Sequence, residues 1–479
     1  MEYELVIGLE IHVELSTKTK IYCRCSTTFG GRANTNVCPV CLALPGALPV
    51  LNREVVNFGI KSGLALNCSI NDYCHMDRKN YFYPDITKNY QITQFPLPLC
   101  KDGFIDMDVN GEKKRIRIER VHIEEDTGKA LHTNDKTLMD FNRCGVPLIE
   151  IVTEPDLRSK KEAILFLERI KSILIAIGVS ECKMEEGQLR CDLNTSVRRK
   201  GEEKLGVRCE LKNMSSFKAI EKAIDFEFER QVKAIENGEK LIQETRRWDE
   251  KNLVSISMRE KQSANDYRYY PEGDLGGLKV SDEWVESIRK TIPELPHERI
   301  ERFVRDYKIP EYDAEVLNLS KTMADFFEET AKISKDPKSS SNWLMGDISR
   351  LLNEEAIKID EIKFSPSSLA ELIVLINEGV ISNAIGKTVL EEMFRTGNEP
   401  KKIVEEKGLR QNSDEEEIKK IATKILEENN KIVLDYKAGK VKIIGFAVGL
   451  VMKETKGKAN PQIVNKIVIN LLNSGNYYI

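Results

Sequence analysis

Side chains able to do chemistry are concentrated between Val121 and Pro155. Val121-His122-Ile123-Glu124-Glu125-Asp126 is followed by Asp140-Phe141-Asn142-Arg143-Cys144-Gly145-Val146-Pro147-Leu148-Ile149-Glu150-Ile151-Val152. Glu150 stands inside an apolar, β-branched run that reads as a buried strand, where an unpaired carboxylate costs on the order of several kcal/mol. Something cationic must face it. The first strand offers a partner: Leu5, Ile7, Leu9, Ile11 and Val13 alternate with Gly8, Glu10, His12 and Glu14, giving one apolar face and one that carries Glu10 and His12. Glu, His and Glu arriving from separate strands are the donors of a divalent-metal site. Glu124 and Glu125 alternate onto opposite faces, so both reach one metal only if the strand ends there, and Asp126-Thr127-Gly128 favours such an ending. Without Glu10, His12 and Glu150, the same acidic cluster would read as a solvated turn.

A second group of donors is Cys23-Arg24-Cys25 with Cys38-Pro39-Val40-Cys41. Two close pairs separated by a loop rich in Gly30, Gly31, Asn34 and Asn36 suit a tetrahedral zinc with four thiolates; the alternative is two pairs of reduced, unliganded thiols. Such a closed site leaves no open coordination position, so it would staple a loop rather than catalyse. Between Tyr73 and Ile92, aromatics mix with Lys79, Lys88, Asn89 and Gln91 around Tyr81-Phe82-Tyr83-Pro84-Asp85. They read equally as a base-stacking, phosphate-holding pocket and as an ordinary aromatic strand pair.

The elements that must position these groups alternate without βαβ regularity, which indicates an α+β fold. Helical periodicity covers Asn52 to Leu66, Glu162 to Ile177 with a stop at Gly178, and Ser216 to about Glu236. Arg115 to Glu125 is a strand whose apolar phase switches between Ile118 and Val121, so a bulge is expected near Glu119-Arg120. Leu189, Cys191, Leu193 and Val197 alternate with Asp192 and Asn194, which either join the metal and its phosphate ligand or face water on an antiparallel sheet. From Ser281 to about Lys402 the chain is helical, with Ser365-Pro366 opening one helix and Ser368 with Glu371 forming a capping box. The expected organisation is a mixed, mainly antiparallel cradle with its zinc loop over 1–290, a helical bundle over 291–405 and a small all-α tail over 406–479.

The 479 residues carry a net charge of −4, so any nucleic-acid surface must be local. From Lys431 onward there are eight lysines (Lys431, Lys437, Lys440, Lys442, Lys453, Lys456, Lys458, Lys466) against Asp435 and Glu454. Such a tail either binds a phosphate backbone or serves solubility. Eleven cysteines, no apolar leader at Met1-Glu2-Tyr3-Glu4 and no run long enough to span a bilayer predict a reduced, cytoplasmic protein with no membrane partner. A Gly-rich Lys-Ser/Thr phosphate loop is missing, which excludes nucleotide binding of the P-loop kind.

The Asp140-x-Asn142-Arg143-x-Gly145-x-Pro147-Leu148-Ile149-Glu150-Ile151-Val152 stretch resembles the signature of the B subunit of glutamine-dependent Glu-tRNA(Gln)/Asp-tRNA(Asn) amidotransferases, the GatB family. Val6-Ile7-Gly8-Leu9-Glu10-Ile11-His12, Tyr81-Phe82-Tyr83-Pro84-Asp85 with Lys88-Asn89-Tyr90-Gln91-Ile92, Asp266-Tyr267-Arg268-Tyr269-Tyr270-Pro271-Glu272 and Lys453 to Pro461 resemble the same family, so the likeness runs along essentially the whole chain. Thr87 and Gly273 replace prolines of the pattern. The resemblance implies a carbon–nitrogen ligase component in which ATP phosphorylates the side-chain carboxylate of a misacylated tRNA and ammonia then displaces phosphate. It implies magnesium at Glu10, His12, Glu125 and Glu150, with Glu124 or Glu125 the inner ligand; the histidine leaves manganese open. It also implies nucleotide contacts from Lys79, Tyr81, Lys88, Asn89 and Asp192. Ammonia would come from a glutaminase (the A subunit), with a small C subunit completing a heterotrimer, since Cys144 has no adjacent histidine to make a glutaminase here. The uninterrupted run from Pro271 into the bundle argues against the related E subunit, which carries an inserted domain. A reading of another class is a non-catalytic tRNA-binding scaffold with a structural acidic cluster.

Overall fold

The computed structural model describes residues 2–133, 135–260, 267–411, 414–455 and 459–474. Asp266 of the tyrosine-rich motif and the Lys456-Gly457-Lys458 break lie outside the described residues. The chain divides into two units, Met1–Pro296 and His297–Ile479.

The first unit is built on a nine-stranded sheet in the order Val254–Glu260, Glu244–Asp249, Cys209–Lys212, Leu189–Arg199, Tyr3–Glu14, Pro147–Thr153, Glu112–Glu125, Cys100–Val109, Ser69–Ile70. Neighbours are antiparallel except Cys209–Lys212 beside Glu244–Asp249. Tyr3–Glu14 lies in the interior of the sheet, paired along both edges, and its alternate residues Ile7, Leu9, Ile11 and Val13, at most 1% exposed, belong to the core that the helices cover. Helices Arg53–Ala65, Lys160–Ala176 and Phe217–Glu236 bring Ile60, Phe166, Ile170 and Ile220 into one core with Ile7, Ile11, Ile123 and Ile151. Asn52, Ser159 and Ser216 cap these helices by accepting from the backbone N–H of Glu54, Glu162 and Ala219, at about 1 kcal/mol each. Gly59 permits the close approach of the first helix: a Cβ there would stand 2.7 Å from Leu99 Cδ2 and 3.3 Å from Ile123 Cδ1. Covering one face with helices leaves the other face of the sheet to its polar residues.

The change of phase in Glu112–Glu125 is a bulge. Val152 pairs with Arg120 but Thr153 pairs with Ile118, so Glu119 is the extra residue and both Ile116/Ile118 and Val121/Ile123 are buried. A three-stranded sheet, Tyr270–Pro271, Asp77–Asn80 and Tyr90–Thr93, carries Lys79 and Tyr90. Its two distant segments are tied by Arg78, whose Nε and Nη2 donate to Glu272 at 2.8 and 2.6 Å.

The described residues of the second unit are helical between the connections. One apolar core contains Phe303, Phe327, Leu344, Leu369, Val389 and Met393, and another contains Ile418, Ala422, Leu426, Val451, Val464 and Val468. The helix Pro366–Asn377 does begin after Ser365, but the expected Ser368/Glu371 capping box is not formed. Ser365 caps it by accepting from Ser368 N–H, while Ser368 donates its hydroxyl to Glu399 and Glu371 pairs with Lys401 at 2.8 Å. Proline at the first helical position fixes the start one turn earlier than the box would. Among the described residues no helix is long and apolar enough to cross a membrane.

Candidate active site and cysteine cluster

The polar face of the large sheet is assembled by register. His12 lies opposite Glu150 on one side and Arg190 on the other, Glu150 lies opposite His122, and Glu10 lies opposite Asp192. Paired residues share a face, so four strands deliver their acids and imidazoles to one surface. His12 Nε2 stands 3.4 Å from Glu124 Oε1 and 3.6 Å from Glu150 Oε2; His122 Nε2 stands 3.1 Å from Glu150 and 3.9 Å from Glu124. Glu124 and Glu150 are 2% and 8% exposed. Burial alone would push the Glu150 carboxyl up, but His12, His122 and Lys79 outweigh it and hold it well below the usual carboxylate range. Burial likewise works against the Lys79 ammonium, which Glu124, Tyr269 and Glu150 raise. His12, Glu124 and Glu150 each offer one donor atom within 4.8 Å of the others, a set of hard oxygens and one imidazole able to hold a divalent ion.

Glu10 does not join that group. Two residues along the strand, a separation of about 7 Å, it meets Asp192 and Glu210, and these three also offer donors within 4.8 Å. Asn194 donates to Glu10 at 2.8 Å and leaves its own Oδ1 buried without a hydrogen-bond partner. Lys212 pairs with Asp192 and stands 3.3 Å from Glu210, and Thr245 donates to Glu210 at 2.8 Å. The face thus carries two adjacent acidic clusters, one with imidazoles and one with a lysine.

Glu125 points the other way, as alternation requires. It accepts from Lys88 Nζ at 2.8 Å and from Ile92 N–H at 2.9 Å, while its carbonyl accepts from Gln91. With Lys20, Tyr22, Cys41, Lys88 and Asn89 it lines a cavity of about 340 Å³. The residues expected at a nucleotide are therefore divided: Lys88 and Asn89 belong to this cavity and Asp192 to the second acidic cluster. Lys79 stands near Glu124 and Glu150, with Tyr267 at 5.1 Å, and Tyr81 packs edge-on against Tyr267. Tyr269 stacks on Phe95 at 4.4 Å, completing an aromatic wall.

Three contributors escaped the sequence reading. His122 is one, and its signal was present, since it lies two positions from Glu124 and so on the same face. Glu210 with Lys212 is another, visible only once Cys209–Lys212 is known to pair with Leu189–Arg199. The third is the Asp126 anchor: Arg190 donates to it at 2.7 Å and Arg143 stands 3.5 Å away. Burial and this neighbouring carboxylate push Glu14 up to about 8.

The sulfurs of Cys23, Cys25, Cys38 and Cys41 all lie within 4.8 Å of one another, with Cys38 and Cys41 at 3.9 Å, and all eleven cysteines are unpaired thiols. Metal–sulfur bonds of about 2.3 Å in a tetrahedron place sulfurs about 3.8 Å apart, so the cluster fits such an ion with small adjustments. Cys38 N–H donates to Cys41 Sγ at 3.1 Å. Hydrogen bonding within the cluster draws the Cys41 thiol down and pushes that of Cys23 up.

The family model described as the GatB/GatE catalytic domain matches residues 5–286, and the one described as the GatB domain matches residues 325–472. The chain is 64% identical over 469 residues to the B subunit of the aspartyl/glutamyl-tRNA(Asn/Gln) amidotransferase of Clostridium botulinum, covering 98% of both chains. It is 62% identical over 474 residues to a B subunit of the aspartyl/glutamyl-tRNA(Asn/Gln) amidotransferase of Clostridium acetobutylicum, covering 99% of this chain and 100% of the relative. With nearly its whole length accounted for by these matches, the chain belongs to the GatB family, the B subunits of aspartyl/glutamyl-tRNA(Asn/Gln) amidotransferases.

Proposed function

We propose that this chain is the B subunit of a tRNA-dependent amidotransferase that converts misacylated Glu-tRNA(Gln), Asp-tRNA(Asn) or both into the amidated forms used in translation. A carboxylate does not yield to ammonia directly, because hydroxide is a poor leaving group. ATP therefore phosphorylates the side-chain oxygen, and ammonia displaces phosphate. The observation that carries this reading is the convergence of His12, His122, Glu124 and Glu150 on one sheet face, beside Glu10, Asp192 and Glu210. Magnesium held by His12, Glu124 and Glu150, with Glu10, Asp192 and Glu210 as a second acidic seat, would neutralise charge on the phosphoryl group in transfer.

The chain's own groups do the positioning. Lys79, on the carboxylate side, is a cation for nucleotide or acyl phosphate oxygens, and Tyr81 with the aromatic wall supplies flat surfaces for a base. His122 holds Glu150 in place at 3.1 Å. Glu125 is committed to Lys88 and is assigned to the cavity rather than to the metal. Ammonia comes from a glutaminase, the A subunit, and a C subunit completes a cytoplasmic heterotrimer. The cysteine cluster holds structural zinc, and the lysine-rich tail grips the tRNA body. The test is co-expression with candidate A and C subunits and an amidation assay on both misacylated tRNAs. Amidation of at least one, with ATP consumption that depends on the misacylated tRNA, is expected. tRNA binding without such consumption would leave only a scaffold.

A further inference from the structure

Lys20 is one of the largest side chains in the protein to be completely buried, at 0% exposure. Burying an ammonium without an anion is expensive, yet no carboxylate among the described residues forms an ion pair with it. Its Nζ donates to Asn36 carbonyl at 2.8 Å and to Phe141 carbonyl at 3.4 Å, and stands 3.7 Å from Cys41 Sγ. Its backbone N–H donates to Cys25 carbonyl at 3.0 Å. The side chain thus runs from one cysteine pair to the other. Gly145, at φ +80°, packs where a Cβ would lie 3.7 Å from Lys20 Cδ and 3.8 Å from Cys41 Cβ, so the signature loop closes over the same spot.

We infer that Lys20 is the outer-sphere partner of the four-cysteine centre, a buried cation that donates to the Cys41 sulfur, offsets the thiolate charge and ties the centre to the Asp140–Val146 loop. The inference rests on the reading that the cluster holds a metal. Four thiolates around a divalent ion leave a net charge of about −2, and on the buried Cys41 side of the cluster Lys20 is the ammonium placed against it. Four neutral thiols would give that ammonium no counter-charge.

The tie is reinforced on both sides. Asn34 Nδ2 donates to Met139 carbonyl at 2.9 Å, Asn36 N–H donates to Asn142 Oδ1 at 2.8 Å, and Asn142 Nδ2 donates to Arg32 carbonyl at 2.7 Å. Thr87, next to Lys88, donates to Cys41 carbonyl at 3.0 Å. Lys20 is therefore a positioning residue: through the loaded centre it steadies the loop that leads into the Glu150 strand and the turn that holds Lys88.

The test uses the full-length chain and two uncharged variants, Lys20→Met, which keeps the length, and Lys20→Gln, which keeps an N–H donor, beside Lys20→Arg, which keeps the charge. Zinc content is measured, then the rate of zinc transfer to a chromogenic chelator, and the sulfur-to-cobalt charge-transfer band of cobalt-loaded protein. Wild type is expected to hold one metal per chain. Lys20→Met and Lys20→Gln should release it roughly 10- to 100-fold faster, the range that loss of an outer-shell partner produces, and should shift the cobalt band, with Lys20→Arg closer to wild type. Wild-type release rates and an unmoved band in either uncharged variant overturn the role of Lys20 while the metal reading stands. Wild type without metal overturns both.

Discussion

Glu124 and Glu125 are adjacent in sequence and opposite in placement, and substituting them separately should give opposite results. Glu125→Gln leaves Lys88, 13% exposed and 2.7 Å from the carboxylate, without its counter-charge. Breaking a buried pair in this way costs about 3–5 kcal/mol, softened here because the amide oxygen of glutamine can still accept from Ile92 N–H. About 3 kcal/mol corresponds to a fall in melting temperature on the order of 5 °C for a unit of this size. Glu124→Gln removes one of two carboxylates crowding His12 at 3.4 and 3.6 Å. In chelator the variant should lose less stability than Glu125→Gln, because Lys79 and the two imidazoles that Glu124 faces keep Glu150 as a counter-charge. Its magnesium requirement should rise at least about a hundredfold, beyond the 10- to 100-fold carried by groups that do not touch the metal. The assay is thermal melting with and without chelator, joined to a magnesium titration of tRNA-dependent ADP formation by the assembled complex. A raised magnesium requirement in Glu125→Gln, with an unchanged one in Glu124→Gln, would refute the assignment of the two faces.

Three further outcomes are expected. Cys41→Ser should lose zinc by metal analysis and lower the melting temperature of the full chain by several degrees, and a wild-type protein free of zinc would remove the basis for this. Deleting the chain from Asp414 onward should raise the apparent KM for tRNA strongly, flatten the salt dependence of binding and leave glutamine hydrolysis by the partner intact; equal affinity across a salt titration would make the tail a solubilising appendage. In the second unit, burial pushes Glu328 up, but Arg302, Lys332 and Arg299 outweigh it and hold its carboxyl at about 2 against an ordinary 4.5. A depressed carboxylate stabilises above its unfolded pKa and loses that contribution as pH falls through its folded one. Glu328→Gln should therefore destabilise the fold by about 1–3 kcal/mol at pH 7, with the difference from wild type shrinking below pH 4.5 and vanishing near 2; a difference that is independent of pH in chemical unfolding would contradict this.

What the sequence made legible was local. Alternation placed Glu10 and His12 on one face of a strand, the apolar run marked Glu150 as buried, and the phase change of Glu112–Glu125 located a bulge that the structure puts at Glu119. Cysteine spacing anticipated four sulfurs drawn together. Strand order was not legible, because pairing depends on which faces can be covered by helices distant in sequence. That is why Glu210 beside Asp192 came only with the register, whereas His122 was already marked by its place two positions from Glu124. Glu10 and His12 share a face and still serve different clusters, since two positions along a strand is already farther than a coordination sphere. The Ser368/Glu371 cap failed because Pro366 starts the helix one turn earlier at Ser365, which leaves Glu371 to pair with Lys401 thirty residues on.

The central claim is that the His12, Glu124 and Glu150 face carries out ATP-dependent activation of the tRNA-borne carboxylate. It is tested most directly by rapid-quench measurement of phosphoryl transfer from ATP to misacylated tRNA in the assembled complex, without glutamine or ammonia, comparing wild type with Glu150→Gln. Wild type should show a burst of ADP matched by acyl phosphate. In the variant, tRNA binding should persist and the burst rate should fall at least about a hundredfold, equivalent to roughly 3 kcal/mol of lost transition-state stabilisation. A burst of wild-type rate and size in Glu150→Gln would contradict it.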